Sequence, residues 1–338
     1  MSRFSEKTIE LKDLSIGYKS KGGHKVVAKD LNASVLRGEL TCLLGANGVG
    51  KSTLLRTIIS MLPKISGEIL FNGECLSKYS AKKLSSLVSV VLTEKVDVKN
   101  MSVSELVGMG RAPYTGFWGS LSSKDEEIIN ESLELVKIQH LKDRMIQSLS
   151  DGERQKVMIA KALAQQTPII LLDEPTAFLD FPSKVDMMQS LHQLSRRTNK
   201  TIFLSTHDLD LALQISDRIW LMDREQGLKT GVPEDLSLDG SLSSFFERKG
   251  ITFDRNTGLF RVDNETTRQI KMIGHGYKVA MIRKALLRNG IMANSSVTDY
   301  DTLIEVSGEG IILTKNIGSG NDEVLRPSNI EELIKFIK

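Results

Sequence analysis

Apolar and polar residues change rhythm several times along this chain, and each change marks an element. Ile9-Glu10-Leu11-Lys12-Asp13-Leu14-Ser15-Ile16 alternates, which predicts a half-buried strand. A polar loop with Gly22-Gly23 follows. Leu40-Thr41-Cys42-Leu43-Leu44 is a short apolar run, read as a strand, that feeds directly into a glycine-rich loop. Ser52 to Met61 then places Leu54, Leu55, Ile58 and Ile59 on one helical face. From about Lys95 to Lys156 helical spacing dominates, through Val103, Leu106 and Val107 and then Ile128, Ile129, Leu133 and Val136. This predicts a helical insertion in an α/β protein. Strand-length apolar runs return at Ile169 to Leu172 and at Thr201 to Ser205. A helix through Leu209, Leu211, Ala212 and Ile215 and a strand over Arg218 to Met222 complete the α/β part.

A turn-rich stretch, Asp239-Gly240-Ser241-Leu242-Ser243-Ser244, predicts a boundary. Beyond it, Gly258 to Val262 and Leu303 to Val306 read as strands. Lys278 to Arg288 reads as an amphipathic helix and Ile330 to Ile337 as a short closing helix. The expected organisation is one α/β domain over residues 1–243, with its helical subdomain at about 95–156, and a small α+β domain over 245–338. A length of 338 residues suits two domains.

Composition narrows the partners. The net charge of +3 comes from 45 basic and 42 acidic residues, which lacks the basic footprint of a nucleic-acid binder, so none is expected as a partner. Two cysteines without paired spacing, Cys42 and Cys75, predict no disulfide framework and a reducing compartment. Met1 to Lys7 holds no signal-peptide stretch, and no segment approaches the roughly 18 apolar residues of a membrane span. The expectation is a soluble cytoplasmic protein; a membrane role would need another chain.

The chemistry starts at Gly45-Ala46-Asn47-Gly48-Val49-Gly50-Lys51-Ser52-Thr53. Strand, glycine loop and helix in that order form the context a phosphate loop requires. Glycines let the backbone turn successive N–H groups toward phosphate oxygens, and the following helix adds its dipole. Gly45, Asn47, Gly48, Gly50, Lys51, Ser52 and Thr53 are therefore candidate nucleotide contacts. Lys51 is expected to reach the β and γ phosphates, and the Ser52 hydroxyl to ligate Mg²⁺. Downstream, Ile169-Ile170-Leu171-Leu172-Asp173-Glu174 ends an apolar strand in acid. Asp173 can meet the magnesium. Glu174 is the candidate base that polarises the attacking water.

Between these two motifs lies Leu149-Ser150-Asp151-Gly152-Glu153. With all three in place, the chain resembles the nucleotide-binding subunit of ATP-binding cassette (ABC) transporters over about residues 8 to 240. That resemblance implies the P-loop NTPase (RecA-like) fold with an inserted helical subdomain, ATP and Mg²⁺ as ligands, and ATP hydrolysis. The pentapeptide resembles the family signature, usually Leu-Ser-Gly-Gly-Gln, with Asp151 and Glu153 as departures. By resemblance, Ser150 and Gly152 contact the γ-phosphate held by a second copy of the chain in a head-to-tail dimer. The same five residues also read as an ordinary helix start, capped by Ser150. Tyr18 resembles the aromatic that stacks on adenine, or is a partly buried strand tyrosine. Ala177-Phe178-Leu179-Asp180 resembles the loop that carries Asp180 across the dimer interface. His207, in Ser205-Thr206-His207-Asp208, resembles the switch histidine that senses the γ-phosphate. Where the family places a magnesium-binding Gln, this chain has Thr93-Glu94, so Thr93 becomes the candidate ligand.

Val107-Gly108-Met109-Gly110-Arg111-Ala112-Pro113-Tyr114-Thr115-Gly116-Phe117-Trp118-Gly119 resembles a segment of subunits importing iron-siderophore, haem and cobalamin. It also reads as a loop with aromatic packing and no substrate meaning. The resemblance implies transmembrane permease partners, an indirect substrate-binding protein, and a peripheral place on the cytoplasmic face of the inner membrane. Rival readings are an exporter ATPase with the same cassette and a non-transport ABC ATPase. The C-terminal domain lies outside the minimal cassette and reads as an accessory, regulatory part. There Gly274-His275-Gly276 opens a helix, as an anion site or a plain turn.

Overall fold

The computed structural model describes residues 6–20, 23–93, 100–115, 119–177, 179–246, 251–254, 259–262, 265–308, 310–316 and 322–337. The chain divides into two compact units, Met1–Phe245 and Phe246–Lys338.

In the first unit, the alternation seen from Ile9 to Ile16 becomes a long strand, β1 (Lys7–Ser20), with Ile9, Leu11, Leu14 and Ile16 buried. It pairs antiparallel with β2 (Gly23–Leu36), and Tyr18 sits opposite Lys25. After the apolar strand β3 (Leu40–Leu44) and the helix α1 (Lys51–Ile58), two short strands extend this sheet: β4 (Ser66–Phe71) and β5 (Glu74–Cys75). The order is β2-β1-β4-β5.

The second sheet holds β3 in its middle. Helix α2 (Ala81–Leu87) leads to β6 (Val88–Val91), and the chain then passes through three helices, α3 (Val103–Gly108), α4 (Ser123–Leu135) and α5 (Asp151–Ala164). The last of these continues past residue 156 because Val157, Ile159, Ala160 and Leu163 keep its apolar face buried. Four more strands follow: β7 (Ile169–Asp173), β8 (Thr201–Ser205), β9 (Arg218–Asp223) and β10 (Gly227–Gly231). Between and after them run α6 (Phe181–Thr198), α7 (Leu209–Ile215), α8 (Pro233–Leu238) and α9 (Ser241–Phe246). The sheet order is β10-β9-β3-β8-β7-β6, parallel from β9 to β6 with β10 antiparallel at one edge.

Parallel strands covered on both faces read as continuous apolar runs. Every residue of β3, β7 and β8 is buried accordingly. Phe203 packs on Trp220 with ring centroids 4.7 Å apart inside this core. Because β3 lies between β8 and β9, the loops leaving the carboxyl ends of these strands converge there, which is where open α/β sheets bind ligands.

Arg111 pins the helical segment. Only 5% exposed, it pairs with Asp125 at 2.7 Å, donates to the Ala164 carbonyl at 2.8 Å and to Gln166 Oε1 at 3.1 Å, and stacks on the Tyr114 ring. The Gly-Arg-x-Pro run is thus bound up in packing α3 and α4 onto the end of α5. Residues 116–118 of the aromatic turn lie outside the described residues.

The second unit opens with a hairpin, β11 (Ile251–Asp254) and β12 (Leu259–Val262). Next come β13 (Arg268–Ile273), α10 (Tyr277–Arg288), β14 (Ile291–Asn294), β15 (Thr302–Ser307), β16 (Gly310–Lys315), β17 (Glu323–Leu325) and α11 (Ile330–Ile337). The five-stranded order is β14-β13-β15-β16-β17, with the first three parallel. Ile282 and Leu286 of α10 and Leu333 of α11 pack with Ile270, Ile304 and Leu313 of the sheet. Among the described residues, no helix of the chain is long and apolar enough to cross a membrane.

Candidate functional site

The loop between β3 and α1 wraps as its glycines predict. Val49 N–H donates to the Ala46 carbonyl at 3.2 Å, which closes a turn with Asn47-Gly48 at its corner. Gly48 has φ +75 and Gly50 φ +118, the left-handed region that favours glycine. A Cβ on Gly50 would stand 2.5 Å from Val27 Cγ1 of β2, so the loop also needs glycine for close packing.

Lys51 opens α1 and is nearly buried; its ammonium donates to the carbonyls of Gly45 at 2.8 Å and Ala46 at 3.3 Å. Burial pulls its pKa below the usual lysine value, against the opposite pull of Glu174 and Asp173. The Ser52 hydroxyl donates to Asp173 Oδ1 at 3.1 Å. A cavity of about 540 Å³ opens over this loop, and its lining includes Tyr18, Lys25, Asn47, Lys51, Glu174 and Arg224. Tyr18 is 44% exposed at its wall, and its hydroxyl shares a 2.8 Å hydrogen bond with the Thr53 hydroxyl.

The acidic strand end is held by a residue that sequence reasoning did not assign. Ser205, fully buried at the end of β8, donates its hydroxyl to Asp173 Oδ1 at 2.6 Å and accepts the Glu174 N–H at 3.0 Å. One hydroxyl therefore ties Asp173 of β7 and Glu174 just after it to the neighbouring strand. Glu174 adopts φ +49, a conformation that costs a non-glycine residue about 1–2 kcal/mol and persists only when its surroundings fix it. His207 Nδ1 lies 3.7 Å from Glu174 Oε2. The next residue, Asp208, pairs with Lys184 of α6 at 2.9 Å. Thr93 places its hydroxyl on the main-chain carbonyl of Asp173, at 2.8 Å, rather than on the carboxylate. Glu94 lies outside the described residues.

Arg224 is the second residue missed. It follows β9, lines the cavity, and donates to the Gly48 carbonyl at 2.8 Å. The signal for Ser205 was its position one strand from Asp173, just before Thr206-His207. For Arg224 there was only a charge after an apolar strand.

Of the predicted residues, Gly45, Thr93, Asp173, His207, Ser150, Gly152 and Asp180 are not among those that line this cavity, and the last three sit at helix starts. Ser150 caps α5, and a capping box forms in which Glu153 Oε2 accepts both the Ser150 N–H (2.8 Å) and the Ser150 hydroxyl (2.9 Å). The Glu153 carboxyl is held below its usual pKa by the Ser150 backbone N–H first and the hydroxyl next. Asp180 caps α6 by accepting the Ser183 N–H at 3.0 Å. A Cβ on Gly152 would meet Leu179 Cδ2 at 3.2 Å, so these two helix starts are neighbours.

The ABC transporter family profile matches residues 28–177. An uncharacterized ABC transporter ATP-binding protein of Methanocaldococcus jannaschii is 35% identical over 283 residues, covering 83% of this chain and 96% of that protein. The iron(3+)-hydroxamate import ATP-binding protein FhuC of Bacillus subtilis is 33% identical over 240 residues, 71% of this chain and 88% of its own. Among solved structures, a dimeric ATP-binding cassette in a post-hydrolysis state with ADP and phosphate superposes with TM-score 0.59. It is 25% identical and covers 67% of this chain and 98% of that one.

Proposed function

The chain belongs to the ABC transporter family, and from that premise we propose that it is the ATP-hydrolysing subunit of a membrane importer for iron-siderophore or related chelate cargo. The observation that carries the ATPase role is the cluster of Asp173, Glu174, Ser205 and His207 at the ends of β7 and β8, facing Lys51 and Ser52. Its parts divide the work. Lys51 and the loop N–H groups bind and orient the phosphates. Glu174 accepts the proton of the attacking water, and His207 beside it positions the γ-phosphate end. Ser52 and Asp173 offer two hard oxygen donors at 3.1 Å from each other, a set that suits Mg²⁺, which takes one or two protein oxygens beside phosphates. When bound, Mg²⁺ supplies neutralisation of developing phosphate charge. Thr93 keeps its lone pairs free to join that set, its proton being committed to Asp173.

Ser150, Gly152 and Asp180 sit at helix starts away from the chain's own cavity, which supports a head-to-tail dimer in which each copy completes the other's site. The dimeric ADP–phosphate cassette supports the same assembly. Import of an iron chelate rests on the iron(3+)-hydroxamate relative. The proposal brings permease subunits, indirectly a substrate-binding protein, and a peripheral place on the cytoplasmic face of the membrane. The second unit is proposed as an accessory, regulatory domain. The similarity to the M. jannaschii protein spans 83% of the chain, more than the first unit alone, so it reaches into that domain.

The test is Glu174→Gln. It should bind ATP, hydrolyse it about 10²–10⁴-fold more slowly, and accumulate as an ATP-dependent dimer in light scattering. A fully active Gln variant would sink the assigned role. Loss of iron-chelate uptake on deletion, restored by the wild-type chain, checks the cargo.

A further inference from the structure

The cavity over the phosphate loop is lined by three cations, Lys25, Lys51 and Arg224, against one acid, Glu174. Lys51 belongs to the loop itself. Arg224 comes from elsewhere, the turn between β9 and β10, and that turn is built to aim it. Asp223 Oδ1 accepts the N–H groups of Glu225 at 2.8 Å and Gln226 at 3.1 Å, which fixes the backbone on either side of Arg224. Acidic neighbours flank it in sequence, yet among the described residues its guanidinium forms no ion pair with them. It reaches instead to the Gly48 carbonyl at 2.8 Å.

That carbonyl belongs to the corner of the Ala46–Val49 turn, where Gly48 adopts φ +75. The bond ties that carbonyl to the turn after β9 and so restrains the corner of the loop. One bond to Gly48 uses a single donor of a guanidinium that carries five. Arg224 also lines the cavity, whose other cations, Lys25 and Lys51, favour phosphate.

We propose that Arg224 is a nucleotide-binding residue that braces the phosphate loop at Gly48 and adds a cation to the polyphosphate of a nucleoside di- or triphosphate. This rests on the ATPase reading above. Arg224 is exposed, so its removal leaves the core intact, and solvent screening limits the effect to a modest factor.

Fluorescence titration with labelled ATP and ADP on the full chain tests it, alongside steady-state hydrolysis. Arg224→Ala should weaken both nucleotides roughly five- to tenfold and raise KM by a similar factor, with kcat at saturation unchanged within about twofold. Arg224→Lys should recover most of the affinity and Arg224→Gln only part, because Gln keeps a polar donor without the charge. The dependence of Kd on salt should flatten in the Ala and Gln variants. Ala-variant affinities within twofold of wild type, full recovery by Gln, or a fall in kcat without a change in Kd would each overturn the proposal. Failure of the wild-type chain itself to bind ATP would sink the ATPase reading instead, so the two failures are distinguishable.

Discussion

Ser205→Ala isolates the hydroxyl that joins the two carboxylates to the sheet. Ser205 is fully buried; it donates to Asp173 at 2.6 Å and accepts the Glu174 N–H at 3.0 Å. A hydrogen bond to a charged group is worth about 1.5–3 kcal/mol, and a donor left unpaired costs about 1–3 kcal/mol. Two offsets reduce the sum. Ser52 still donates to Asp173, and the Glu174 side chain is a quarter exposed, so the chain around its N–H can adjust. A net loss of about 2–4 kcal/mol is expected. Urea unfolding followed by tryptophan fluorescence reads it, since both tryptophans, 118 and 220, lie in the first unit. The catalytic effect is separate. Without its N–H anchor, Glu174 is released from its positive-φ conformation, and loss of such supporting contacts typically costs about 10–100-fold. The Kd for ATP should move less than threefold, roughly, because Lys51 and the loop are untouched. A variant that loses stability but keeps wild-type kcat would refute the positioning role. One that keeps both would show that neither bond carries weight.

Arg111→Met removes a nearly buried guanidinium that donates to Ala164 and Gln166 and should destabilise the first unit by about 2–3 kcal/mol, read as a lower urea midpoint. The stability of the same variant should depend less steeply on acid pH. The Asp125 carboxyl is held at about 2, below its ordinary 3.8, by the Ser122 hydroxyl first, then the Ser122 N–H and Arg111. Its contribution is present above pH 3.8 and lost as pH falls toward 2, so weakening the hold leaves less stability to lose across that window in a pH-dependent melt. Burial pushes the Cys42 thiol up to about 12, whereas the Ser77 hydroxyl draws the partly exposed Cys75 down. Thiol titration at pH 8 should therefore count one reactive cysteine in the native chain and two in denaturant.

Elements with strong periodicity or unbroken apolar runs were legible: β3, β7, β8, β9, α1, α4 and α10 all stand close to where the hydrophobic pattern placed them. The antiparallel β2 and the short β4 and β5 were not. β2 is mostly exposed from Gly23 to Asp30, so its polar residues carry no alternation, and the strand exists because β1 supplies its hydrogen bonds. In the second unit, β13, β14, β16 and β17 run three to six residues each and mix apolar with polar positions, without the fully buried runs of the equally short β3, β7 and β8. The phosphate loop, Asp173, Glu174 and His207 were legible because each sits in a motif with fixed spacing. Ser205 and Arg224 act through neighbours brought together only by strand order, β8 beside β7 and β9 beside β3, which no local spacing records.

The pentapeptide at 149–153 reads differently once its hydrogen bonds are known. As a capping box, it has already spent the Ser150 hydroxyl proton on Glu153, and the Glu153 N–H on Ser150. The first N–H groups of a helix have no partner within it, and the capping box satisfies only some of them. Gly152 stands in that first turn without a side chain to screen its N–H, so in the proposed dimer Gly152 offers a donor that need not be withdrawn from another bond. Ser150 must exchange a bond to a carboxylate for one to phosphate, which nets less than forming a new bond. The glutamate in place of the family's usual Gln therefore acts twice. Its charge holds the serine in the cap, and in the proposed dimer it would shift recognition of a partner's phosphate toward the backbone at the start of α5.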